Sequence, residues 1–287
     1  MKLDVGGLAH ARTGRISPFL KWAGGKKQLL EPIMALAPER FERYLEPFVG
    51  GGAVFFALAS LGRVGPALLN DANPHLVTTY VVVRDRLPEL IEALTALKTA
   101  HGPDQFYEAR RRFNQEPLSE VERAAHLIYL NKTCFNGLYR VNSSGGFNVP
   151  LGRYVNPGIF DVDSLTACRE ALQNATVRHG DFETILDQAA TGDFVYLDPP
   201  YVPLTRTANF TSYAREGFTF DDQIRLAHAA RRLDAKGVRF LLSNHHTDEL
   251  VELYKGFNVK VVPARRSITR QASDRSIPVD EVLIWNY

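Results

Sequence analysis

Hydrophobic positions along the chain follow two rhythms that alternate, and their order draws an architecture. Tyr44 to Val49 is a short apolar run that breaks on Gly50, Gly51 and Gly52, and the apolar run Ala53 to Leu61 behind it predicts a helix packed on a sheet. Strand, glycine turn and helix in that order open an α/β nucleotide-binding unit. Ala67 to Leu69 predicts a second strand, ending at Asn70 and Asp71. From Pro74 to about Ala109 the spacing turns helical, with Leu87, Leu90, Ile91 and Leu94 in phase, and Glu120 to Leu130 predicts another helix. Thr133 to Tyr154 fits neither rhythm: it is rich in Gly, Asn and Ser, with aromatic and basic residues interleaved. Alternation resumes near Thr176. Phe194 to Leu197 predicts a strand stopped by Asp198, Pro199, Pro200 and Tyr201; Asp222 to Leu233 predicts a helix, and Val238 to Leu242 a strand ending at Ser243 and Asn244. Val259 to Val262 and Val282 to Trp285 predict a closing antiparallel pair. The expected fold is an α/β sheet interrupted by a helical and loop-rich insertion.

Composition narrows the function classes. The 287 residues, 45% hydrophobic and 23% charged, suffice for one large domain with an insertion or for two domains. The formal net charge is only +2, so a surface for nucleic acid must be locally basic. Two cysteines, Cys134 and Cys168, argue against a disulfide framework and against a cysteine-rich zinc site, and no metal is expected. No apolar stretch reaches the ~18 residues of a membrane span. Met1 to Ser17 carries charges and three glycines without an apolar core, and reads as a flexible leader.

Two segments invite a cofactor reading. Glycines after a strand let backbone approach a ligand, and the helix that follows offers orphan N–H groups. Asp71 lies about 20 positions beyond, where an acidic residue can take ribose hydroxyls. The turn lacks a clean G-x-G-x-x-G, because Phe55 occupies the third glycine's place. A dinucleotide site is therefore not favoured, and a bare structural turn stays open. Phe19 to Lys26 combines an apolar pair, two lysines, Trp22 and a double glycine. It reads either as a binding loop or as a surface turn around a buried Trp22.

Asp198-Pro199-Pro200-Tyr201 carries the strongest chemical signal, since ligands of open α/β sheets sit outside the carboxyl ends of strands. An aromatic amine is a poor nucleophile because its lone pair is delocalised into the ring. A carboxylate accepting one of its N–H groups, with a carbonyl beside a proline accepting the other, draws the nitrogen toward tetrahedral geometry. Prolines donate no N–H, so the loop presents acceptors, and an aromatic neighbour can stack on a base. A rigid turn with a core tyrosine remains the plainer alternative.

With these motifs in order, the chain resembles the Dam-type DNA adenine methyltransferases, the alpha-class D12 family. The resemblance runs from Phe19 to Tyr287 through FLKWAGGK (19–26), YLEPFVGGGAVFF (44–56), NDAN (70–73), NKTCFNGLYRVNSSGGFNVPLGRY (131–154), DPPY (198–201), ANFTSY (208–213), SNHHT (243–247) and DEVLIWNY (280–287). It implies a Rossmann-like methyltransferase sheet with a mainly helical target-recognition insertion carrying a β-hairpin loop. The implied boundaries are a leader at 1–17, a discontinuous catalytic domain at 18–73 and 166–287, and a recognition domain at 74–165. It implies S-adenosylmethionine as cofactor, held by Trp22, Lys26, Glu46, Pro47, Phe48, Gly50, Gly52, Asp71, Asp181, Phe182 and Asp198. Asp198, Pro199, Pro200 and Tyr201 would act on a flipped adenine. Lys21, Leu138, Arg140 and Pro150 would read base pairs, with Asn136 beside them and Phe135 intercalating. Arg110, Lys132, Asn142, Asn148 and Arg153 would touch phosphates.

The implied activity is site-specific methylation of adenine N6 in double-stranded DNA, at GATC or at a longer site containing GA. The expected enzyme is a monomer, either in the bacterial cytoplasm or phage-encoded. Interleaved Arg, Asn and aromatic residues in 131–154 suit entry into a DNA groove, although most such loops are only polar hairpins. Arg265, Arg266, Arg270 and Arg275 read as a solvated charged face. Three other readings stay in view: a non-catalytic DNA-binding relative, a nicotinamide-dependent oxidoreductase, and a methyltransferase acting on another base or on RNA.

Overall fold

A computed structural model describes residues 15–22, 26, 29–201, 218–265 and 278–287. Residues 1–14 of the expected leader, Ala23 to Gly25, the segment 208–213, and Arg266, Arg270 and Arg275 lie outside the described residues, as does the side chain of Arg265.

Seven strands form one sheet: β1 (Tyr44–Glu46), β2 (Ala67–Asp71), β3 (Ala175–His179), β4 (Phe194–Leu197), β5 (Arg239–His245), β6 (Asn258–Arg265) and β7 (Pro278–Trp285). Their order is β3-β2-β1-β4-β5-β7-β6. The first five run parallel, and β7 enters antiparallel between β5 and β6. Chain order reverses between β1 and β4, so a crevice opens at their carboxyl ends. Successive strand residues face opposite layers. Tyr44, Phe194, Tyr196, Leu241 and Leu283 join one buried cluster, while Leu45, Val195, Leu197, Phe240, Leu242 and Ile284 join the other.

The second layer is closed by α8 (Phe182–Leu186), α9 (Phe220–Ala235) and α10 (Asp248–Leu253). The first carries α1 (Leu30–Leu36), α2 (Ala53–Ser60) and the insertion helices α3 (Pro74–Asp85), α4 (Leu87–Thr99), α5 (Pro103–Gln115), α6 (Glu120–Thr133) and α7 (Val162–Leu172). The long helical stretch expected after Pro74 is thus three helices, and prolines sit in the first turn of each. Helix α6 starts on a Ser119–Glu122 capping box and is buried along nearly its whole length. Helix α3 touches β2, β3 and α6, so one hydrophobic cluster runs from the sheet into the insertion. Ile16 and Ser17, expected in the leader, are anchored instead: the Ile16 N–H donates to Ser60 Oγ at 2.8 Å, and the Ser17 carbonyl accepts from Cys168 Sγ at 3.3 Å. No helix among the described residues is long and apolar enough to cross a membrane.

The loop after α6 begins with a short 3-10 turn, Phe135–Gly137, and closes by two isolated antiparallel bridges, Cys134 to Leu151 and Val141 to Phe147. It keeps the path of a hairpin without a continuous ladder.

Candidate active site

A cleft of about 820 Å³ opens where the strand order reverses. Its lining gathers the loop after β1 (Pro47, Phe48, Val49, Gly50), the end of β2 (Asp71, Ala72), the turn after β3 (Gly180, Asp181, Phe182) and the tetrapeptide after β4 (Asp198 to Tyr201). Trp22, Phe218 and Asp222 complete it.

At one end, Asp71 accepts the Gly50 N–H at 3.0 Å and the Asn73 N–H at 2.9 Å. Burial raises its pKa, while those two donors oppose the shift. Beside it, the rings of Phe48, Phe182 and Phe218 form a cluster with centroids 5.3–5.8 Å apart. Asp181 caps α8 through the Glu183 N–H and pairs with Arg225 at 3.0 Å; the Arg225 guanidinium also lies 4.9 Å from the Phe182 ring centroid. An apolar slot with carboxylates at its rim suits an aromatic base joined to a hydroxyl-bearing sugar.

At the other end, Asp198 is tied from behind. Lys26 Nζ lies 2.8 Å from Asp198 Oδ1, and Ser243 Oγ donates to the same oxygen at 3.1 Å, itself bonded to the Tyr196 hydroxyl at 2.8 Å. Lys26 also donates to the Tyr201 hydroxyl, which donates to Glu281 Oε2 at 2.9 Å. Burial pushes the Asp198 carboxyl up although Lys26 pulls it down. Burial, then the carboxylates of Asp198 and Glu281, drive the Tyr201 phenol far above its ordinary value. The Tyr201 ring rests 4.2 Å from that of His245.

Three expected cofactor residues sit elsewhere than at the wall. Glu46 is 2% exposed behind the loop, where it accepts from the Tyr44 hydroxyl at 2.9 Å. Lys26 faces Asp198 and Tyr201. Gly52 caps α2 with φ 69°, and a Cβ there would come within 2.5 Å of the Tyr80 hydroxyl. Gly50, with φ 49°, leaves room for Trp22, whose Cδ1 would stand 2.9 Å from a Cβ. These glycines therefore make way for the protein's own aromatic rings as well as for any ligand.

The expected DNA-facing residues gather around the loop after α6. Asn131, at the end of α6, accepts the Lys21 N–H at 2.8 Å and donates to the Lys21 carbonyl at 2.7 Å and the Gly137 carbonyl at 3.0 Å. This clamp fixes Lys21 against the loop, and its ammonium lies 4.6 Å over the Tyr154 ring. Phe135 is 46% exposed, and Asn136 takes φ 56° in the turn beside it. Pro150 is exposed and its carbonyl accepts the Phe135 N–H at 2.9 Å. Leu138 is half-buried against the core. Arg140 Nε donates to Asn148 Oδ1 at 2.7 Å, and Asn142 Oδ1 closes the tip by accepting from Ser144 and Gly146 at 2.9 Å. Arg110 reaches the Val149 carbonyl at 3.5 Å, and Arg153 is exposed. Lys132 departs from an open phosphate contact: it is half-buried in the last turn of α6, where burial and the charge of Lys21 lower its pKa.

Residues 22–268 match the D12 class N6 adenine-specific DNA methyltransferase family. The chain belongs to that family. It is 43% identical to the Type II methyltransferase M1.LlaDCHI of Lactococcus lactis subsp. cremoris, over 95% of this chain and 96% of that one. It is 43% identical to the Type II methyltransferase M.MjaIII of Methanocaldococcus jannaschii, over 95% and 99%. It is 40% identical to the DNA adenine methylase of Vibrio cholerae serotype O1, over 92% and 94%. The activity of this D12 chain is methylation of adenine N6 in DNA, with S-adenosylmethionine as cofactor. The aromatic slot with Asp71 at its rim fits that cofactor's nucleoside.

The pattern of the sequence had not singled out Ala72, Gly180, Phe218 and Asp222 in the lining, nor Asn131, Ser243 and Glu281 behind it. The last three lie inside the motifs 131–154, 243–247 and 280–287, the only signal they carried.

Proposed function

We propose that this enzyme methylates the adenine of GATC in duplex DNA, after that base has been flipped from the helix into the cleft beside Asp198. The observation that carries the reading is a cleft with two unlike ends: an aromatic slot rimmed by Asp71, and a half-buried acceptor, Asp198, next to two prolines and a tyrosine. S-adenosylmethionine supplies an electrophilic methyl group on a sulfonium. Asp71 takes the ribose hydroxyls, and Phe48, Phe182 and Phe218 flank the cofactor's adenine ring, with Asp181 at its edge. Asp198 accepts one N–H of the target amine, the backbone carbonyl beside Pro199 accepts the other, and Tyr201 stacks on the base. Orientation and fixed acceptors carry the rate, and flipping exposes the amine to them. Lys21, Leu138, Arg140 and Pro150 read the site, and Phe135 fills the stack. GATC is favoured by the resemblance of the loop 131–154 to that of the Dam-type enzymes.

Expression in a methylation-free host, followed by sequencing of modified bases, tests the site: N6-methyladenine at every GATC is expected, and modification restricted to a longer site containing GA would correct it. Asp198→Ala tests the chemistry. Transfer of labelled methyl should vanish while cofactor affinity stays within about tenfold; near-normal turnover would remove Asp198 from the reaction. Fluorescence of 2-aminopurine at the target position should rise on binding if the base leaves the stack.

A further inference from the structure

Glu281 lies on β7, opposite His245 of β5 and Val262 of β6, far in sequence from the tetrapeptide. Its Oε2 accepts from the Tyr201 hydroxyl at 2.9 Å and stands 4.0 Å from Lys26 Nζ. Lys26, 4% exposed, thus sits between two carboxylates, with Asp198 at 2.8 Å on the other side. A buried ammonium paired with one carboxylate alone would cancel most of that carboxylate's field. A second carboxylate on the same ammonium restores negative charge where the amine nitrogen turns cationic as it is methylated. The same carboxylate fixes the hydroxyl of the ring assigned to stack on the base.

We propose that Glu281 is a positioning residue for methyl transfer: by sharing Lys26 and holding the Tyr201 hydroxyl, it leaves net negative charge beside the target amine and keeps the Tyr201 ring steady against the base. This inference rests on the assignment of Asp198 and Tyr201 to the target base. Glu281 touches no substrate; it works through Lys26 and Tyr201.

Glu281→Gln keeps the size and an acceptor oxygen while removing the charge. With the full-length enzyme and a GATC duplex, the single-turnover rate should fall about tenfold or more, while the affinities for DNA and S-adenosylmethionine stay within about twofold. A rate within about twofold of wild type overturns the proposal, as does an equal loss in rate and both affinities, the mark of general loosening. Tyr201→Phe supplies an independent reading, because it removes only the hydroxyl that Glu281 holds. In that background Glu281→Gln should cost clearly less than it does alone, since contacting residues are not additive; full additivity overturns the proposal too. Asp198→Ala run in parallel separates the two levels: an active Asp198→Ala sinks the underlying assignment, whereas an inactive Asp198→Ala beside an active Glu281→Gln sinks the role of Glu281 alone.

Discussion

Asp71 Oδ2 takes the N–H of Gly50 at 3.0 Å, and this bond joins the end of β2 to the loop that follows β1. The carboxylate therefore has two tasks in the proposed enzyme: it shapes the glycine loop and it meets the ribose. Asp71→Ala should weaken S-adenosylmethionine binding by about 1.5–3 kcal/mol, the scale of charge-assisted hydrogen bonds. Asp71→Asn, which keeps one acceptor oxygen, should fall between the two. Calorimetry returning an unchanged affinity for the alanine variant would remove Asp71 from the cofactor site.

Glu46 gives a prediction about stability. Burial raises its pKa well above the ordinary glutamate value, although the Tyr44 hydroxyl and the Phe55 N–H pull the other way. The folded chain then holds this proton more tightly than the unfolded chain does. The stability it contributes is complete below the unfolded pKa and is lost as pH rises through that value toward the folded one, by up to about 1.4 kcal/mol for each pH unit. Glu46→Gln imitates the protonated form. Its melting temperature should lie close to wild type near about pH 5 and above it near about pH 8, the gap widening between them. A gap independent of pH would mean that Glu46 is not a buried, reluctantly ionised group.

Strands β1, β2 and β4 were legible in the sequence because strands buried on both faces read as unbroken apolar runs that stop where the cleft begins, at Gly50, Asp71 and Asp198, whereas the largely exposed β3 shows no such run. The helices α1, α8 and α10 were not legible, since segments of five to seven residues give the 3.6-residue rhythm little room to show. The tetrapeptide announced itself because its chemistry is local. The support behind it did not: Lys26, Ser243 and Glu281 reach Asp198 and Tyr201 across 45 to 175 positions of chain, and nothing in the spacing of residues records such a meeting. The glycine turn was legible as a turn, yet half of its reason, the room needed by Trp22 and Tyr80, belongs to tertiary packing.

Salt dependence tests the proposed phosphate contacts. Neutralising a phosphate releases counterions, so each true contact adds about one unit to the slope of log affinity against log salt. Arg153 is exposed at the end of the loop, and Arg153→Ala should weaken all sequences alike and flatten the slope by about one unit. Lys132 is half-buried beside Lys21, so Lys132→Ala should flatten it less. Were either substitution to change base preference instead, the assignment to phosphate would be wrong.

Arg140 bears on how the site is read. It is exposed on the loop, with Nε donating to Asn148 Oδ1 at 2.7 Å and Nη2 3.4 Å from the Asn148 carbonyl. Held along that edge, a guanidinium presents its remaining donors in a fixed plane, the arrangement that pairs with the two acceptors of guanine's Hoogsteen edge. A phosphate contact and a guanine contact predict different outcomes. Loss of a phosphate arginine weakens every site equally, whereas loss of a guanine reader costs about 1–3 kcal/mol on the cognate site and little on one altered at that base pair. Arg140→Ala should therefore lower kcat/KM for GATC while barely changing activity on sites with a substituted final base pair, so that their ratio falls about tenfold or more. Asn148 was expected at a phosphate, but its bond to Arg140 predicts more: Asn148→Ala should reproduce part of the loss in ratio, because the freed guanidinium must be ordered again on binding. Both sites measured with both variants at one salt concentration decide the matter. An unchanged ratio in Arg140→Ala means that Arg140 reads no base, and a changed ratio there with none in Asn148→Ala means that the hydrogen bond does not orient it.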